Sequence, residues 1–353
     1  MSGPARTYAV LAGVLALTIV AGVLHYASAN AVAIFVVSGA ALAGLAWVIA
    51  IATESVGQRF GPAATGVIQS TLGNLPELFV VMFAVSAGEL VVAKTAIVGS
   101  LLANALLVLG LSIVAGARAA SDGVMRFRAR LPIDTATLLL LAVFVIALLG
   151  VSDRVGDRAS NHQVAISVVG AVCLLVVYGA WLWQYLRSEK APVAEAEPAR
   201  PHTSFRFAIV LLAVGGVAAA LVSDWFVTAL DPAVKAIGIS KAFTGLVIVG
   251  IAGNAVENVV GIWLAHRGKS DLSISVIKNS VAQIAAFLFP VLVLLSLFFS
   301  SHLTFVLNPI YVIALVLMAI AVWQITGDGK AVMFEGLALV ALYVVVATLA
   351  FYE

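Results

Sequence analysis

Two acidic motifs in apolar stretches carry the clearest chemical signal of this sequence. Gly73-Asn74-Leu75-Pro76-Glu77 recurs 180 residues later as Gly253-Asn254-Ala255-Val256-Glu257. A charged side chain at membrane depth costs roughly 2.5 to 3.5 kcal/mol on insertion scales, so a glutamate in such a stretch indicates a function. Because the two motifs match in residue type and order, we predict that Glu77 and Glu257 perform the same chemistry in two related halves.

Further polar residues recur at the same spacing. Ser100 follows Gly73 by 27 residues, and Ser280 follows Gly253 by 27 residues. An amide side chain comes shortly after each serine. Side chains three or four positions apart share a helix face, so each half is expected to present two converging polar faces. The candidate site residues are Asn74, Glu77, Ser100, Asn104, Asn254, Glu257, Ser280 and Gln283.

The residue types of these faces indicate a hard cation as the ligand. Gly73, Pro76 and Gly253 predict that both motif helices bend or break, and freed backbone carbonyls are tolerated at membrane depth only against a cavity or an ion. Carboxylate, amide, hydroxyl and carbonyl groups together form an all-oxygen set. Ca²⁺ takes six to eight oxygen ligands in flexible geometry. No His or Cys belongs to the set, which disfavours zinc and copper.

The pair of glutamates also predicts how transport would be coupled. Two ionised carboxylates cannot stay close together in a low-dielectric site without a counter-charge, because desolvation and like-charge repulsion both disfavour the ionised form. Either a divalent cation or protons must neutralise them. Since cation and protons compete for the same oxygens, and since only neutralised forms of the site cross the membrane cheaply, the arrangement predicts exchange of a cation for protons.

Three other charged residues have two interpretations each. Lys278 lies two positions before Ser280 and could neutralise a site carboxylate, or its ammonium could snorkel to the membrane interface. Glu54 and Asp224 lie near the ends of apolar runs. Each fits a gating or proton-relay role as well as it fits a solvated carboxylate at the interface.

The composition identifies an integral membrane protein. Hydrophobic residues make up 63% of the 353 residues and charged residues 10%, against about 45 to 50% and about 25% in soluble proteins. The net charge of +2 comes from scattered basic residues, so no nucleic-acid partner is expected. The lone Cys173 excludes an intrachain disulfide and is expected to pack as a small apolar side chain. Motifs of metalloproteases, hydrolases and nucleotide-binding enzymes are absent, so we do not expect an enzyme.

Apolar runs long enough to cross about 30 Å of hydrocarbon need about 20 residues, and the sequence contains eleven. Because unpaired backbone groups are not tolerated in lipid, these runs are predicted to be helices of an all-α protein. Their approximate spans are 8–25, 32–56, 62–87, 90–116, 131–151, 163–187, 206–230, 240–266, 271–299, 304–325 and 331–351.

The spans fall into an N-terminal helix and two halves. Residues 1–30 form the first span, which with its flanking small residues also fits a cleavable signal peptide. Residues 31–187 and 205–353 each contain five spans, separated by a hydrophilic, proline-containing linker at 188–204. Because five is odd, the halves must enter the membrane in opposite directions. This is the inverted-repeat plan of secondary transporters, which bind their substrate near the bilayer midplane.

The distribution of Lys and Arg predicts the orientation. By the positive-inside rule, cytoplasmic loops carry the excess of basic residues. Most of the 19 basic residues fall on the N-terminal side of the predicted spans. The N-terminus and the linker are therefore expected in the cytoplasm, Glu353 outside, and the protein in the cytoplasmic membrane if the host is bacterial. The opposite side carries Lys94, Arg154, Arg158, Lys235 and Lys241.

The paired motifs carry a family resemblance. The two Gly-Asn-x-x-Glu motifs, Gly99-Ser100-x-x-x-Asn104 and Ser280-x-x-Gln283, with Thr53-Glu54 and Ser223-Asp224 upstream, resemble the cation/proton exchanger branch of the Ca²⁺/cation antiporter superfamily. The resemblance covers roughly residues 40–116 and 215–300. It implies Ca²⁺ moved against an inward proton flow, with Glu77 and Glu257 as principal ligands and proton carriers. Ca²⁺ is then a transported substrate, and no cofactor is expected.

The sequence departs from that branch at a few positions. Asn258 stands where the branch usually has His, Leu75-Pro76 is closer to sodium-coupled relatives, and Lys278-Asn279 replaces an apolar residue and Gly. A Na⁺-coupled exchanger with the same fold is therefore the nearest alternative. A passive cation channel is the third hypothesis, and a homo-oligomer is compatible with all three.

Overall fold

The computed structural model describes residues 4–57, 72–128, 130–188 and 204–353, and nearly all of them are helical. In the first half, the elements are α1 Pro4–Tyr26, α2 Ala31–Gly57, α3 Leu75–Ser86, α4 Leu90–Leu102, the π-helical segment π1 Ala103–Val108, α5 Leu109–Ala119, strand β1 Val124–Arg126, α6 Arg130–Val155, a 3₁₀ turn Arg158–His162 and α7 Gln163–Ser188. In the second half, they are α8 Phe205–Ile237, α9 Lys241–Phe243, π2 Thr244–Val249, α10 Gly250–Gly253, α11 Ala255–His266, α12 Ser270–Gln283, π3 Ile284–Leu288, α13 Phe289–Ser296, α14 Pro309–Thr326, β2 Lys330–Val332 and α15 Met333–Tyr352.

The described residues contain nine helices long and apolar enough to cross a membrane, or ten if one bent pair is a single span. The bent pair comprises Lys241–Gly253 and Glu257–His266, which meet at 61°. All ten coincide with predicted spans. The remaining prediction, 62–87, begins outside the described residues, and only the shorter apolar helix α3 of that stretch is described. The linker at 188–204 also lies outside them, apart from its two end residues.

The chain divides into two compact units, each with segments from both sequence halves. The first unit comprises Met1–Phe83 and Gly179–Gly238. Its centre is α2 packed along α8, where the Phe35 and Phe226 rings stack with centroids 4.6 Å apart. Helix α1 lies against both, with Trp225 of α8 packed on Gly22. The absence of a side chain at Gly22 is what lets the indole lie directly on the α1 backbone.

The second unit comprises Ala84–Tyr178 and Ile239–Glu353. Helix α4 packs on π2, α5 packs on α11 and α15, and α6 packs on α12 and α14. A short antiparallel ladder pairs Val124 with Val332 and Arg126 with Lys330. This ladder joins the loop after α5 to the residues immediately before α15.

The local structure repeats at the 180-residue spacing of the motifs. Helices α3 and α11 have the same length of 12 residues and begin 180 positions apart, as do α4 at Leu90 and α12 at Ser270. The turns before α4 and α12 use a left-handed glycine at matching places, Gly88 with φ 77° and Gly268 with φ 72°. The left-handed conformation is one that residues with a side chain rarely adopt, so both turns favour glycine.

The outer helices expose apolar side chains, as expected for contact with lipid. On α7, Val169, Val172 and Val176 are 63%, 47% and 65% exposed. Such a stripe would be unfavourable in water but is matched by hydrocarbon. Cys173 lies on this exposed side, so the expectation that it packs inside the protein was wrong. Because nearly all residues of such a helix are apolar, its sequence does not show which side faces the core.

Candidate functional site

The second-half motif lies at an interruption between two helices. Helix α10 ends at Gly253, and α11 begins at Ala255. Asn254 between them leaves the helical conformation, with φ −109° and ψ 20°. Its backbone carbonyl accepts the first bond of the new helix, from the Asn258 amide at 3.0 Å. The interruption therefore frees carbonyls of the preceding turn, which need new donors.

Two asparagine side chains supply those donors. Asn254 Nδ2 donates to the Gly250 carbonyl at 3.2 Å, and Asn258 Nδ2 donates to the Ile251 carbonyl at 3.3 Å. Both amides are buried, yet Oδ1 of each has no hydrogen-bond partner among the described residues. The amide nitrogens thus stabilise the interruption and leave two amide oxygens available. A buried acceptor left unpaired costs about 1 to 3 kcal/mol, so these two oxygens are candidate ligand atoms.

Glu257 stands in the first turn of α11, immediately after the interruption. It is partly exposed, whereas Asn254 is fully buried. The positive end of the helix dipole favours a carboxylate in a first turn by about 0.3 to 1 kcal/mol at exposed sites, and more where water is scarce. The first-turn position therefore partly offsets the cost of ionising this carboxyl inside an apolar span.

The first-half motif has the same local arrangement. Asn74 lies in the turn before α3, its backbone carbonyl accepts from the Leu78 amide at 2.9 Å, and Glu77 is in the first turn. Pro76 is the second residue of α3, where the missing amide hydrogen breaks no helical bond. Asn74 and Glu77 are both buried. They belong to the first unit, and the other six predicted site residues belong to the second.

Within the second unit, the structure brings Asn104 and Ser280 together. Asn104 lies in π1 and Ser280 in α12, and Asn104 Nδ2 approaches Ser280 Oγ at 3.5 Å. That distance is at the outer limit of a hydrogen bond. Ser100 and Gln283 are also buried. Ser100 Oγ, Asn104 Oδ1 and Gln283 Oε1 have no hydrogen-bond partner in the described part of the chain.

Glycines let the backbones of two neighbouring segments meet beside Ser100. A Cβ placed on Gly99 would lie 2.1 Å from the Leu246 carbonyl oxygen, and one on Gly245 would lie 2.0 Å from Thr95 Oγ1. A Cβ on Gly250 would lie 2.8 Å from the Ser100 amide nitrogen. Small residues at helix contacts are typical of membrane proteins, where close backbone packing drives association. This contact fixes Ser100 against the segment that leads into the interruption at Asn254.

The two upstream acidic candidates lie on the surface. Glu54 of α2 and Asp224 of α8 are exposed. Their preceding residues, Thr53 and Ser223, are the buried ones. The Thr53 hydroxyl donates to the Ala50 carbonyl at 2.8 Å, while Ser223 Oγ has no partner among the residues described. In this structure the hydroxyl members of both pairs, and not the carboxylates, face the interior of the first unit.

Lys278 takes neither of the two positions considered from the sequence. Its side chain is only 3% exposed, so the ammonium does not reach the interface, and Nζ donates to Thr326 Oγ1 at 3.3 Å. Residues two positions apart lie on opposite sides of a helix, so the Lys278 side chain leaves α12 away from Ser280. The lysine instead ties α12 to the last residue of α14.

Asn258 and Asn279 are two further polar residues that were not predicted to belong to the site. Asn258 takes part in the interruption described above, and Asn279 Oδ1 is a buried oxygen with no partner among the described residues. Both amides stand in apolar spans directly beside a predicted site residue. That adjacency is the sequence signal that could have identified them.

Comparison with known proteins decides the family. A family model described as sodium/calcium exchanger protein matches residues 30–186 and 207–352. The chain belongs to the sodium/calcium exchanger family. The match spans both halves of this exchanger-family chain, and it confirms the resemblance inferred from the paired motifs.

Similar exchanger-family proteins have been described in other organisms. The chain is 32% identical to a vacuolar calcium ion transporter of Schizosaccharomyces pombe, over 92% of this chain and 80% of that protein. It is 30% identical to a Ca²⁺/H⁺ antiporter of Synechocystis, over 93% of each. Among solved structures, native YfkE superposes with a TM-score of 0.80 at 27% identity, covering 98% of this chain and 99% of that one.

Proposed function

We propose that this exchanger-family chain is a secondary antiporter that exchanges Ca²⁺ for H⁺. The observation that carries the proposal is the set of buried oxygens without hydrogen-bond partners in the described residues, which occur at or beside the repeated motifs. Amide and hydroxyl oxygens in such surroundings serve as ligands of a hard cation. The set comprises Ser100 Oγ, Asn104 Oδ1, Asn254 Oδ1, Asn258 Oδ1 and Gln283 Oε1.

The amides and hydroxyls supply coordination, and the glutamates supply charge. Glu77 and Glu257 each follow an interruption at the first turn of a helix, where the dipole supports an ionised carboxylate. Ca²⁺ brings two positive charges and neutralises two carboxylates, while two protons neutralise them equally well. Because an unneutralised carboxylate inside an apolar membrane span is unfavourable, release of Ca²⁺ on one side requires uptake of protons. That requirement is the coupling between the two ions.

The relatives support this ion pair. One relative of similar length is described as a Ca²⁺/H⁺ antiporter and another as a calcium ion transporter. The all-oxygen residue types of the candidate site agree with calcium as the cation. Asn74, and Asn258 directly after Glu257 in the chain, are then positioning or ligand residues in the same transport cycle.

Uptake driven by an imposed pH gradient is the direct test. In proteoliposomes acidic inside and free of sodium, the purified protein should accumulate ⁴⁵Ca²⁺, and dissipating the gradient with a protonophore should stop accumulation. Uptake that requires a sodium gradient would replace the proposal with Na⁺-coupled exchange. Flux that follows the Ca²⁺ gradient and ignores the pH gradient would indicate a channel.

We further propose that residues 31–187 and 205–353 form inverted repeats joined by a cytoplasmic linker at 188–204, with the N-terminus in the cytoplasm of the host. The excess of basic residues on the N-terminal side supports this orientation. The 180-residue recurrence of helices and turns supports the duplication.

Labelling of single cysteines tests the orientation. In a Cys173→Ser background, Ala159→Cys, in the exposed turn after α6, should react with a membrane-impermeant maleimide in intact cells. Ser121→Cys, in the exposed turn after α5, should react only after permeabilisation. The reverse pattern would invert the proposed topology, and labelling of both positions in intact cells would contradict any fixed orientation.

A further inference from the structure

A surface groove in the second unit lies apart from the oxygen atoms of the candidate site. It has a volume of about 380 Å³ and runs between the C-terminal parts of α5 and α11. Its apolar wall contains Leu111, Val114 and Ile262, and its end carries Arg118 and His266. Leu111 is 36% exposed, whereas Val114 is buried. The groove therefore combines an apolar channel with a cationic end.

The side chains of Arg118 and His266 are both available to a ligand. Arg118 and His266 are exposed, and neither forms an ion pair with any residue that the structure describes. They lie in the last turns of α5 and α11, where the negative end of the α5 dipole favours the Arg118 guanidinium but does not neutralise it fully. Among the residues that the structure describes, no acidic side chain lines the groove.

The acidic residues in the adjoining loops already have partners. Asp122 pairs with Arg126 at 2.6 Å, and Asp271 lies 3.7 Å from Arg128. The hydrogen bond from Arg126 lowers the pKa of the Asp122 carboxyl, so this residue is ionised and engaged at neutral pH. The loops around the groove thus leave Arg118 without a carboxylate from this part of the chain.

The same helix end has the side chains that are typical of a membrane interface. Trp263 of α11 is 37% exposed, and the Arg267 guanidinium lies 5.1 Å from its ring centroid. Tryptophan is enriched where hydrocarbon meets the headgroups. Arg118 lies at the end of the membrane span Leu90–Ala119. The cationic end of the groove is therefore at headgroup level, and its apolar wall is at acyl-chain level.

We propose that this groove binds one anionic phospholipid of the surrounding bilayer. The lipid phosphate contacts Arg118 and His266, and an acyl chain lies along Leu111, Val114 and Ile262. Leu111 precedes Arg118 by seven residues, which is roughly 10 Å along a helix. That length matches the upper half of an acyl chain descending from a headgroup. Basic pockets between membrane helices are suited to anionic headgroups.

Charge complementarity and size favour a lipid over other occupants. Inorganic phosphate could satisfy the cations but would leave the apolar wall uncovered. A second copy of this chain would need an interface of about 20 to 30 residues on each side, whereas seven residues line this groove. A lipid uses both the cationic end and the apolar wall, and the bilayer supplies it at high local concentration.

Native mass spectrometry of the purified full chain tests the proposal. After incubation with phosphatidylglycerol, the parent protein should retain one lipid, and phosphatidylcholine should not replace it. Arg118→Gln should retain phosphatidylglycerol roughly fivefold more weakly, as expected for one interfacial cation removed. Ala115→Trp, which fills the apolar channel with the charges intact, should also lose the lipid. The matched control is Arg154→Gln, which removes an exposed cation from the end of α6 and should retain lipid like the parent.

Each alternative gives a different result. Equal retention of phosphatidylglycerol by the parent and Arg118→Gln would overturn the proposal, as would equal retention of phosphatidylcholine. Loss of the lipid upon addition of inorganic phosphate, with retention unchanged in Ala115→Trp, would assign the cations to a free anion. A dimer that disappears in Ala115→Trp would assign the groove to a second copy. Thermal unfolding in detergent identifies a variant that loses lipid because it is misfolded.

Discussion

Replacement of either motif glutamate by glutamine is expected to abolish proton-driven Ca²⁺ uptake. Glutamine keeps the shape and one oxygen of Glu77 or Glu257 but removes the charge that Ca²⁺ and protons compete to neutralise. Removing one partner of a buried charge interaction costs about 3 to 5 kcal/mol, and about 1.4 kcal/mol corresponds to a factor of ten. We therefore expect uptake to fall by more than about 100-fold in Glu77→Gln and in Glu257→Gln, measured as initial ⁴⁵Ca²⁺ uptake under a fixed pH gradient.

Glu335→Gln is the matched control for this loss. Glu335 lies in the first turn of α15, and its carboxylate accepts from the Val332 amide at 2.9 Å. Glutamine can accept the same bond, so folding and uptake should stay near the parent values. Substantial proton-driven uptake by either motif variant would remove the glutamates from the coupling mechanism. Loss in the control as well would point to general destabilisation, which size-exclusion profiles of the purified variants would detect.

Alanine at Gly99 or Gly245 is expected to destabilise the second unit strongly. The added Cβ would lie 2.1 Å from the Leu246 carbonyl oxygen at the first position and 2.0 Å from Thr95 Oγ1 at the second. Overpacking a well-packed core costs typically about 1 to 3 kcal/mol. Here Leu246 and Val92 backbone atoms are among the obstacles, so α4 and π2 must separate. We expect the free energy of unfolding to fall by about 3 kcal/mol or more. In size-exclusion chromatography of heated samples in detergent, the monodisperse peak should disappear at a lower temperature than for the parent.

Gly13→Ala is the matched control, because the same substitution at this position should not lower the heat stability. A Cβ at Gly13 of α1 meets nothing within 4 Å among the described atoms. Alanine within a helix is favoured over glycine by roughly 0.5 to 1 kcal/mol. The variant should therefore be as heat-stable as the parent or slightly more so. A Gly99→Ala protein with the stability of Gly13→Ala would show that the close contact at Gly99 does not support the fold.

The sequence was sufficient to predict the fold class, because its strongest patterns are also the strongest physical constraints. Runs of about 20 apolar residues must be helices in lipid, and ten of the predicted spans correspond to helices or a bent pair in the structure. The family was predicted equally well, because each Gly-Asn-x-x-Glu motif is a short, contiguous segment that can be recognised directly in the sequence. These features depend on residues close together in the chain.

Features that depend on distant parts of the chain could not be predicted. Lys278 donates a hydrogen bond to Thr326, which is 48 positions away in the chain. No local sequence pattern indicates that partner. The exposure of Glu54, Asp224 and Cys173 depends on which side of an apolar helix packs inward. The glycine contact of Gly99 with Leu246 joins the two halves, and glycine in a membrane helix is too common to identify its partner.

The helical spacing of the site residues was also only an approximation. Ser100 and Asn104 were placed on one face from ordinary α-helix geometry, but Asn104 lies in a π-helical segment. Such segments are rare and often occur at functional sites. Their wider hydrogen-bond pattern turns later side chains to other directions. Apolar sequences such as Ala103–Val108 and Ile284–Leu288 contain no residue type that signals the change.

The placement of those segments bears on the history of the gene. A π-helical turn closes its hydrogen bond one residue later than an α-helical turn, so each such segment places one extra residue in its span. π1 ends at Val108 and π3 ends at Leu288, which are equivalent positions in the two copies. Under the duplication proposed above, a π-helical segment at this position is expected to have been present in the ancestral half-length polypeptide before that polypeptide was copied.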